Sequence, residues 1–298
     1  MRNSLPSETQ PLGARSGPPP DESPLADLVR RHDRDRYQTA LFAPAERRGA
    51  LLALYAFNYE IARVRETVSE PMLGQIRLQW WREVLDAAYA GTPPRSHPVV
   101  VPLAAAIREF ELSRGYFDRL IDSRERDLAD VPPASLAILE AYAEESSASL
   151  IHLALEVLGM RPPALDAVAR HVGIGYALAG LLRAMPFHAQ ASRTYIPVDI
   201  AQREGLDPGD YAAGRVGPAL RAVVRAMADT AASHLSAARE PRGGTPQSAL
   251  AALLPAVVAS RHLARLRHAG YDPFAPALAA PDPLQIWRLS LAALRGRF

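Results

Sequence analysis

The chain has 298 residues, 48% hydrophobic and 22% charged, a composition ordinary for a soluble globule and ample for a large core. Its 34 basic residues, all arginine, nearly balance 32 acidic ones, and a net charge of +2 gives no sign of a nucleic-acid binder. No cysteine is present, which excludes disulfides, iron–sulfur ligation and thiol catalysis by this chain.

Residues 1–23 are rich in Pro, Ser and Gly, with Pro18-Pro19-Pro20 at their centre and almost nothing to bury. They are expected to form a disordered tail ahead of one helical domain spanning 24–298. No run approaches 18 apolar residues, so no transmembrane helix is expected. The N-terminal stretch lacks the apolar segment of a signal peptide, and Glu8, Asp21 and Glu22 argue against a transit peptide. A cytoplasmic protein is expected, one able to lie peripherally on the inner face of the cytoplasmic membrane.

Ser23 followed by Pro24 reads as an N-cap with proline at the first helical position. From there helix follows helix, with Pro44, Pro71, Pro98, Pro132-Pro133, Pro162-Pro163, Pro197, Pro218 and Pro281 at or near the starts. Alternating strand patterns are scarce and no repeat is visible, so the fold class is all-α. The run Asp33-Arg34-Asp35-Arg36-Tyr37 is compatible with a solvated helix end carrying local ion pairs. Residues 50–69 carry a thick apolar face through Leu51, Leu54, Tyr55 and residues 57–61. On residues 71–90, Leu73, Ile76, Trp80 and Val84 share one face, with Trp81, Arg77 and Leu85 on a second. That pattern predicts Trp80 in the core and Trp81 at a partner contact. Residues 116–128 read as a surface helix laced with Asp–Arg pairs, and residues 142–159 as a helix made unusually polar by Ser146, Ser147 and Ser149.

Residues 172–182 form an apolar helix containing Gly173, Gly175 and Gly180, each costing ~1 kcal/mol against alanine in a helix interior. Glycines retained there imply that another helix or a ligand comes close to the backbone. An acidic turn, Asp207-Pro208-Gly209-Asp210, follows, then helices near 215–240 and 246–269 joined by a flexible loop at 242–246. The last helix, 283–295, gathers Leu284, Trp287, Leu291 and Leu294 on a face expected to dock on the body. No catalytic triad, phosphate loop, HExxH or dinucleotide fingerprint is present.

Ala53-Leu54-Tyr55-Ala56, and Leu182-Arg183 with Arg193-x-Tyr195-Ile196-Pro197 further on, carry a resemblance. The first is similar to A-L-Y-A-x-x-R-x-x-D-D-x-x-D of the squalene/phytoene synthase family. The second is similar to that family's N-I-L-R-D-x-x-E-D followed by R-x-Y-L-P. Residues 116–128 are similar to F-x-x-L-I-x-x-x-x-x-D-L, with Asp127 in the aspartate place. The resemblance implies a single-domain helical bundle or barrel of the isoprenoid-synthase kind with a central cavity, and Mg²⁺ held between two aspartate-rich helices. The carboxylates are mostly gone: Ala62 and Arg63 stand for the paired aspartates and Glu66 for the third. On the second helix Gly180, Ala184, Phe187 and His188 replace the Asn, Asp, Glu and Asp.

Bridging Mg²⁺ to a leaving diphosphate needs several carboxylate oxygens on facing helices, and one Glu with one His does not supply them. No catalytic residue and no cofactor are therefore expected; were the chain an enzyme, Glu66 and Asp127 would be its candidates, with Mg²⁺. Arg63, Arg65, Arg183 and Arg193, with Tyr195, could instead line an anion pocket for an isoprenoid or phospholipid, since guanidinium groups grip phosphate without a metal. They could equally pair with Glu60, Glu66 and Glu70. At the place of the family's Ser-x-Ser-Phe, Asp33 and Asp35 would set carboxylates against an anion. His188 fits a hydrogen-bonded histidine as well as a ligand. Within the family, VSEPMLGQIRLQWWRE, YAEESSASL and LLRAMPFH resemble the branch related to the mitochondrial assembly factor of respiratory complex I. That resemblance implies an assembly role with complex I subunits or other assembly factors as partners. The alternative is a prenyltransferase making a phytoene- or squalene-like product.

Overall fold

The Ser23 hydroxyl accepts a hydrogen bond from the Ala26 N–H at 3.1 Å, and Pro24 opens the first helix, as the sequence predicts. The computed structural model describes residues 23–161, 163–240 and 246–298; the expected tail 1–23, apart from Ser23, and the expected loop 242–246, apart from Pro246, lie outside them. Helices α1 (Pro24–His32), α2 (Arg34–Ala40) and α3 (Ala45–Ala62) lead to a 3₁₀ turn, Val64–Glu66. Then come α4 (Pro71–Tyr89), α5 (Val100–Phe110), α6 (Arg114–Asp127) and α7 (Leu136–Ala143). A π turn, Glu144–Ala148, runs on into α8 (Ser149–Val157). The long α9 (Asp166–Gln190) continues through Pro186 and is followed by two short helices, α10 (Val198–Arg203) and α11 (Pro208–Ala212). The chain ends with α12 (Pro218–Ala237), α13 (Leu250–Leu253), α14 (Pro255–His268), α15 (Pro276–Ala279) and α16 (Gln285–Leu294). No strand occurs among the described residues.

Helix α9 is the axis of this assembly, packed by α12, α14, α8 and the π turn, while α3 packs on α1, α5 and α8. The glycines explain how α9 comes so close to its neighbours. A Cβ at Gly173 would lie 2.5 Å from the Ala148 backbone nitrogen, and one at Gly175 2.7 Å from the Leu235 side chain. Both are helix approaches. Gly180 has nothing within 4 Å of its would-be Cβ, so no close neighbour requires it. Pro186 lacks the N–H that would bond the Leu182 carbonyl, and the helix tolerates that loss. Deeper in, Phe57 meets Trp81 and Phe117 edge-on at 5.2 and 5.4 Å between ring centroids. Each such buried aromatic contributes ~1.5–3 kcal/mol.

Two amphipathic faces differ from the sequence expectation. On α4 the buried residues are Gly74, Leu78, Trp81, Val84, Leu85 and Ala88, so Val84 is buried as expected, but Trp81 is core and Trp80 only half-buried. Leu73 and Ile76 face solvent, 46% and 59% exposed. The bulk of the side chains did not choose this face. Gly74 did, because the Leu128 side chain occupies the space a Cβ would need. On α16 the docking residues are Leu289, Ala292 and Ala293, set against Leu254 and Val258. Leu284, Trp287, Leu291 and Leu294 point outward instead. Alanines let the helix lie close to α14, and larger groups on that side would hold it off. No single helix among the described residues is long and apolar enough to cross a membrane. A bent pair, Gln247–Leu253 with Pro255–His268, reaches the length and composition together.

Candidate functional site

Helix α3 ends at Ala62, and Arg63 is its C-cap, pairing with Glu60 at 3.6 Å and lying over the Tyr59 ring. Glu66 closes the following 3₁₀ turn and is exposed. Along α9, Gly180, Ala184, Phe187 and His188 occupy the second set of motif positions, with Phe187 53% exposed. Burial, aided by the neighbouring Arg193 charge, lowers the His188 pKa to about 4, so its ring is neutral near pH 7. The donor set is then one exposed carboxylate and one neutral imidazole. A hard cation seeking six oxygens finds no fit there. Among the described residues no group of three or more His, Asp or Glu side chains is arranged to hold a metal.

Asp127, at the C-terminal end of α6, is engaged by the protein itself. Its Oδ1 accepts from the Tyr195 hydroxyl at 2.9 Å, and its Oδ2 from the Tyr142 hydroxyl at 3.1 Å and from Arg124 at 3.3 Å. Arg124 donates a further bond to the Tyr142 oxygen at 2.7 Å. Burial, with the neighbouring phenol and the Asp127 charge adding to it, pushes Tyr195 far above its usual pKa. Tyr142 is raised as well, by burial first. Burial alone would lower Arg124, but Tyr142 and Asp127 hold it above its ordinary value. The cluster is a charged strut tying α6, α7 and the turn after α9 together, with the Arg124 Nε left buried and without a hydrogen-bond partner. Three donors already occupy the carboxylate, which has about four acceptor positions.

The four arginines and Tyr195 do not converge on one pocket. Arg65 sets its Nε 3.2 Å from Asp130 Oδ1 and its Nη2 on the other oxygen, while Arg193 Nε reaches the same Oδ1 at 3.2 Å. Arg193 and Tyr195 border a cavity of about 100 Å³ with Asp127, Asp130 and Tyr142. Arg183 lies elsewhere. It donates to Asp35 Oδ2 at 2.6 Å, and Gln285 of α16 donates to Asp35 Oδ1 at 2.7 Å. Burial would raise the Asp35 carboxyl, but the charge and hydrogen bond of Arg183 hold it below the usual carboxylate range. This second group borders a cavity of about 210 Å³ with His262 and Arg265. Beneath it Arg36 pairs with Asp33 at 2.7 Å and lies over Tyr176. Of the ion-pair partners weighed from sequence, Glu60 meets Arg63, whereas Arg65, Arg183 and Arg193 choose Asp130 and Asp35. Asp130 carried no sequence signal. Asp35 did, since a carboxylate in a serine place asks for a cation.

Comparison with known proteins identifies the family and the fold. The squalene/phytoene synthase family profile matches residues 29–295. The chain is 33% identical over 272 residues to complex I assembly factor 6 of NADH dehydrogenase (ubiquinone) from Bos taurus, covering 91% of this chain and 81% of that protein. It is 25% identical over 214 residues to the presqualene diphosphate synthase of Rhodopseudomonas palustris, covering 71% and 75%. The crystal structure of a squalene synthase from Alicyclobacillus acidocaldarius superposes with a TM-score of 0.75 at 22% identity, covering 84% of this chain and 94% of that one. That likeness shows the fold: an all-helical domain of the isoprenoid-synthase kind. The chain belongs to the squalene/phytoene synthase family.

Proposed function

We propose that this protein is a non-catalytic member of its family that assists the assembly of respiratory complex I, the NADH:quinone oxidoreductase. One observation carries the reading. The six positions where the resemblance expects the metal clamp, Ala62, Arg63, Glu66, Gly180, Ala184 and His188, offer a single exposed carboxylate and a neutral ring. The similarity to complex I assembly factor 6 supports the same direction. The partners would be complex I subunits or other assembly factors, and no metal cofactor is required. The place of action would be the cytoplasmic face of the membrane. The outward face of α16, with Leu284, Ile286, Trp287, Leu291 and Leu294 beside Arg295 and Arg297, has the composition of an interfacial helix. Deleting the gene in its host tests the assembly role: assembled, active NADH:quinone oxidoreductase should fall, and normal levels would refute it.

The rival reading is a head-to-head prenyltransferase, favoured by the presqualene diphosphate synthase likeness. Purified protein with Mg²⁺ and labelled farnesyl or geranylgeranyl diphosphate should release no product. Turnover that vanishes in Glu66→Ala or Asp127→Ala would replace our reading with this one. Binding of an anion, an isoprenoid or a phospholipid, by the free edges of the arginines belongs to the same proposal. Native mass spectrometry of freshly purified protein should then find a bound lipid.

A further inference from the structure

Beyond the turn that closes α9 lies a half-open cavity of about 470 Å³, which shares Arg193 and Thr194 with the cavity bordered by Asp127 but is not itself lined by Asp127. Its wall is mostly apolar, with Ala189, Ile196, Val198, Ala201, Leu206 and the ring of Tyr211, and the uncharged polar residues Ser192, Thr194 and Gln202 also border it. Tyr211 spends its hydroxyl on the Met185 carbonyl at 3.0 Å and so presents only ring carbon. One ionisable group capable of binding an anion borders the space, Arg193, and no carboxylate lines it. Volume, apolar lining and a single convergent charge are the features of a small-molecule site, whose usual range is ~300–1,000 Å³.

The charge at the mouth can be counted. Asp130 is shared by Arg65, which uses two nitrogens, and by Arg193, which uses Nε alone. The trio is left with one net positive charge, and the terminal nitrogens of Arg193 have no acceptor among the described residues. A guanidinium edge with two free N–H groups matches a carboxylate in bidentate geometry. It does not match a diphosphate, whose several negative charges exceed the single net positive charge of the trio. We infer that this cavity binds a single-chain lipid with one negative charge, a fatty-acid carboxylate, its head on Arg193 and its tail along Ala201 and Leu206. The inference rests on the anion-binding half of the proposed function and not on the assembly half, so the two can fail separately.

Isothermal titration of the full chain with decanoate, dodecanoate and tetradecanoate below their micellar concentrations tests it, with dodecanol as the neutral control. One carboxylate should bind per chain, about four-fold tighter for each added methylene the cavity accepts. Ala201→Trp should fill the groove and abolish binding at unchanged helicity and melting temperature. Arg193→Gln should weaken binding about ten-fold, but it also breaks an ion pair, so a second variant of opposite sign is decisive. Asp130→Asn releases Arg193 and Arg65 together and should tighten the carboxylate several-fold, an effect that mere structural damage does not produce. The proposal is overturned if no chain length binds, if dodecanol binds as well as dodecanoate, if Ala201→Trp binds normally, or if Asp130→Asn weakens the complex.

Discussion

The three glycines of α9 should respond to alanine in three different ways, and the differences follow from what each would meet. At Gly173 the new Cβ falls on backbone, 2.5 Å from the Ala148 nitrogen and 2.6 Å from its Cβ, where no side-chain rotation can relieve it. Helix α9 and the π turn must part by about an ångström, and overpacking of that kind costs ~1–3 kcal/mol. The upper end applies because the obstacle is main chain. Alanine's helix propensity returns ~1 kcal/mol, leaving a net loss of ~2 kcal/mol. Gly180→Ala meets nothing and keeps the whole propensity gain. Gly175→Ala presses on the buried Leu235 side chain at 2.7 Å and on the Ala231 carbonyl oxygen at 3.1 Å, so it should lose stability too, but less than Gly173→Ala, where the obstacle is chiefly main chain. Urea unfolding and thermal melts of the three variants read these values directly, at roughly 2–4 °C for each kcal/mol in a domain of this size class. If Gly173→Ala melts at or above the parent, or Gly180→Ala falls as far as Gly173→Ala, then close approach is not what keeps glycine in this helix.

Asp127→Asn should destabilise the fold by roughly 3–5 kcal/mol in chemical denaturation, because Arg124 is left buried without its carboxylate; a variant that keeps its stability would argue for a role in chemistry instead. His262 is 7% exposed, and burial, with Arg183 and Arg265 adding, lowers it from 6.5 to about 4. The unfolded chain therefore takes up this proton first as pH falls, so stability is full above pH ~6.5 and declines towards pH ~4 by on the order of 3 kcal/mol. His188 acts in the same direction, and in His262→Gln the acid slope measured by urea unfolding should shrink; an unchanged slope would refute the assignment. Trp287 and Leu294 are 72% and 85% exposed, so Trp287→Glu with Leu294→Glu should leave the melting temperature unchanged and abolish sedimentation with anionic vesicles. Undiminished sedimentation would remove α16 from the membrane contact.

What could be read from sequence was what has a local cause. Pro24, Pro71 and Pro218 mark helix starts because proline fixes its own φ and gives up a donor unused there. The family frame was legible through Tyr55, Arg183 and Tyr195, and the lost clamp through Ala62 and Ala184. The faces of α4 and α16 were not. Each helix offers two apolar stripes, and Gly74 and Ala292 chose between them by letting a neighbour in. The Asp130 junction was invisible because its partners Arg65 and Arg193 lie 65 residues before it and 63 after, with nothing in the local pattern to link them. The π turn at Glu144–Ala148 hid in the same way. Its serines look like a polar helix surface, yet Ser146, Ser147 and Ser149 are all buried.

Loss of the aspartates alone would leave a cavity ringed with uncompensated arginine, and that is not what the chain has become. Arg183 keeps the position of the arginine in the family pattern, and its anion is now supplied from within: Asp35, in a serine place, reaches it at 2.6 Å. Gln285 of α16 holds the other Asp35 oxygen, and Asp33, in the first serine place, is taken by Arg36. A diphosphate arriving here would have to displace a carboxylate from its guanidinium, forfeiting a charged hydrogen bond of ~1.5–3 kcal/mol, and would then face that carboxylate as a like charge. The same neutralisation recurs just beyond the C-terminus of α9, where Asp130 offsets one of the two charges of Arg65 and Arg193. The helices that a ligand-bridged metal would otherwise draw together are held by side-chain ion pairs that stay in place through any cycle. Under the proposed assembly role, such ion pairs would serve as a constant scaffold.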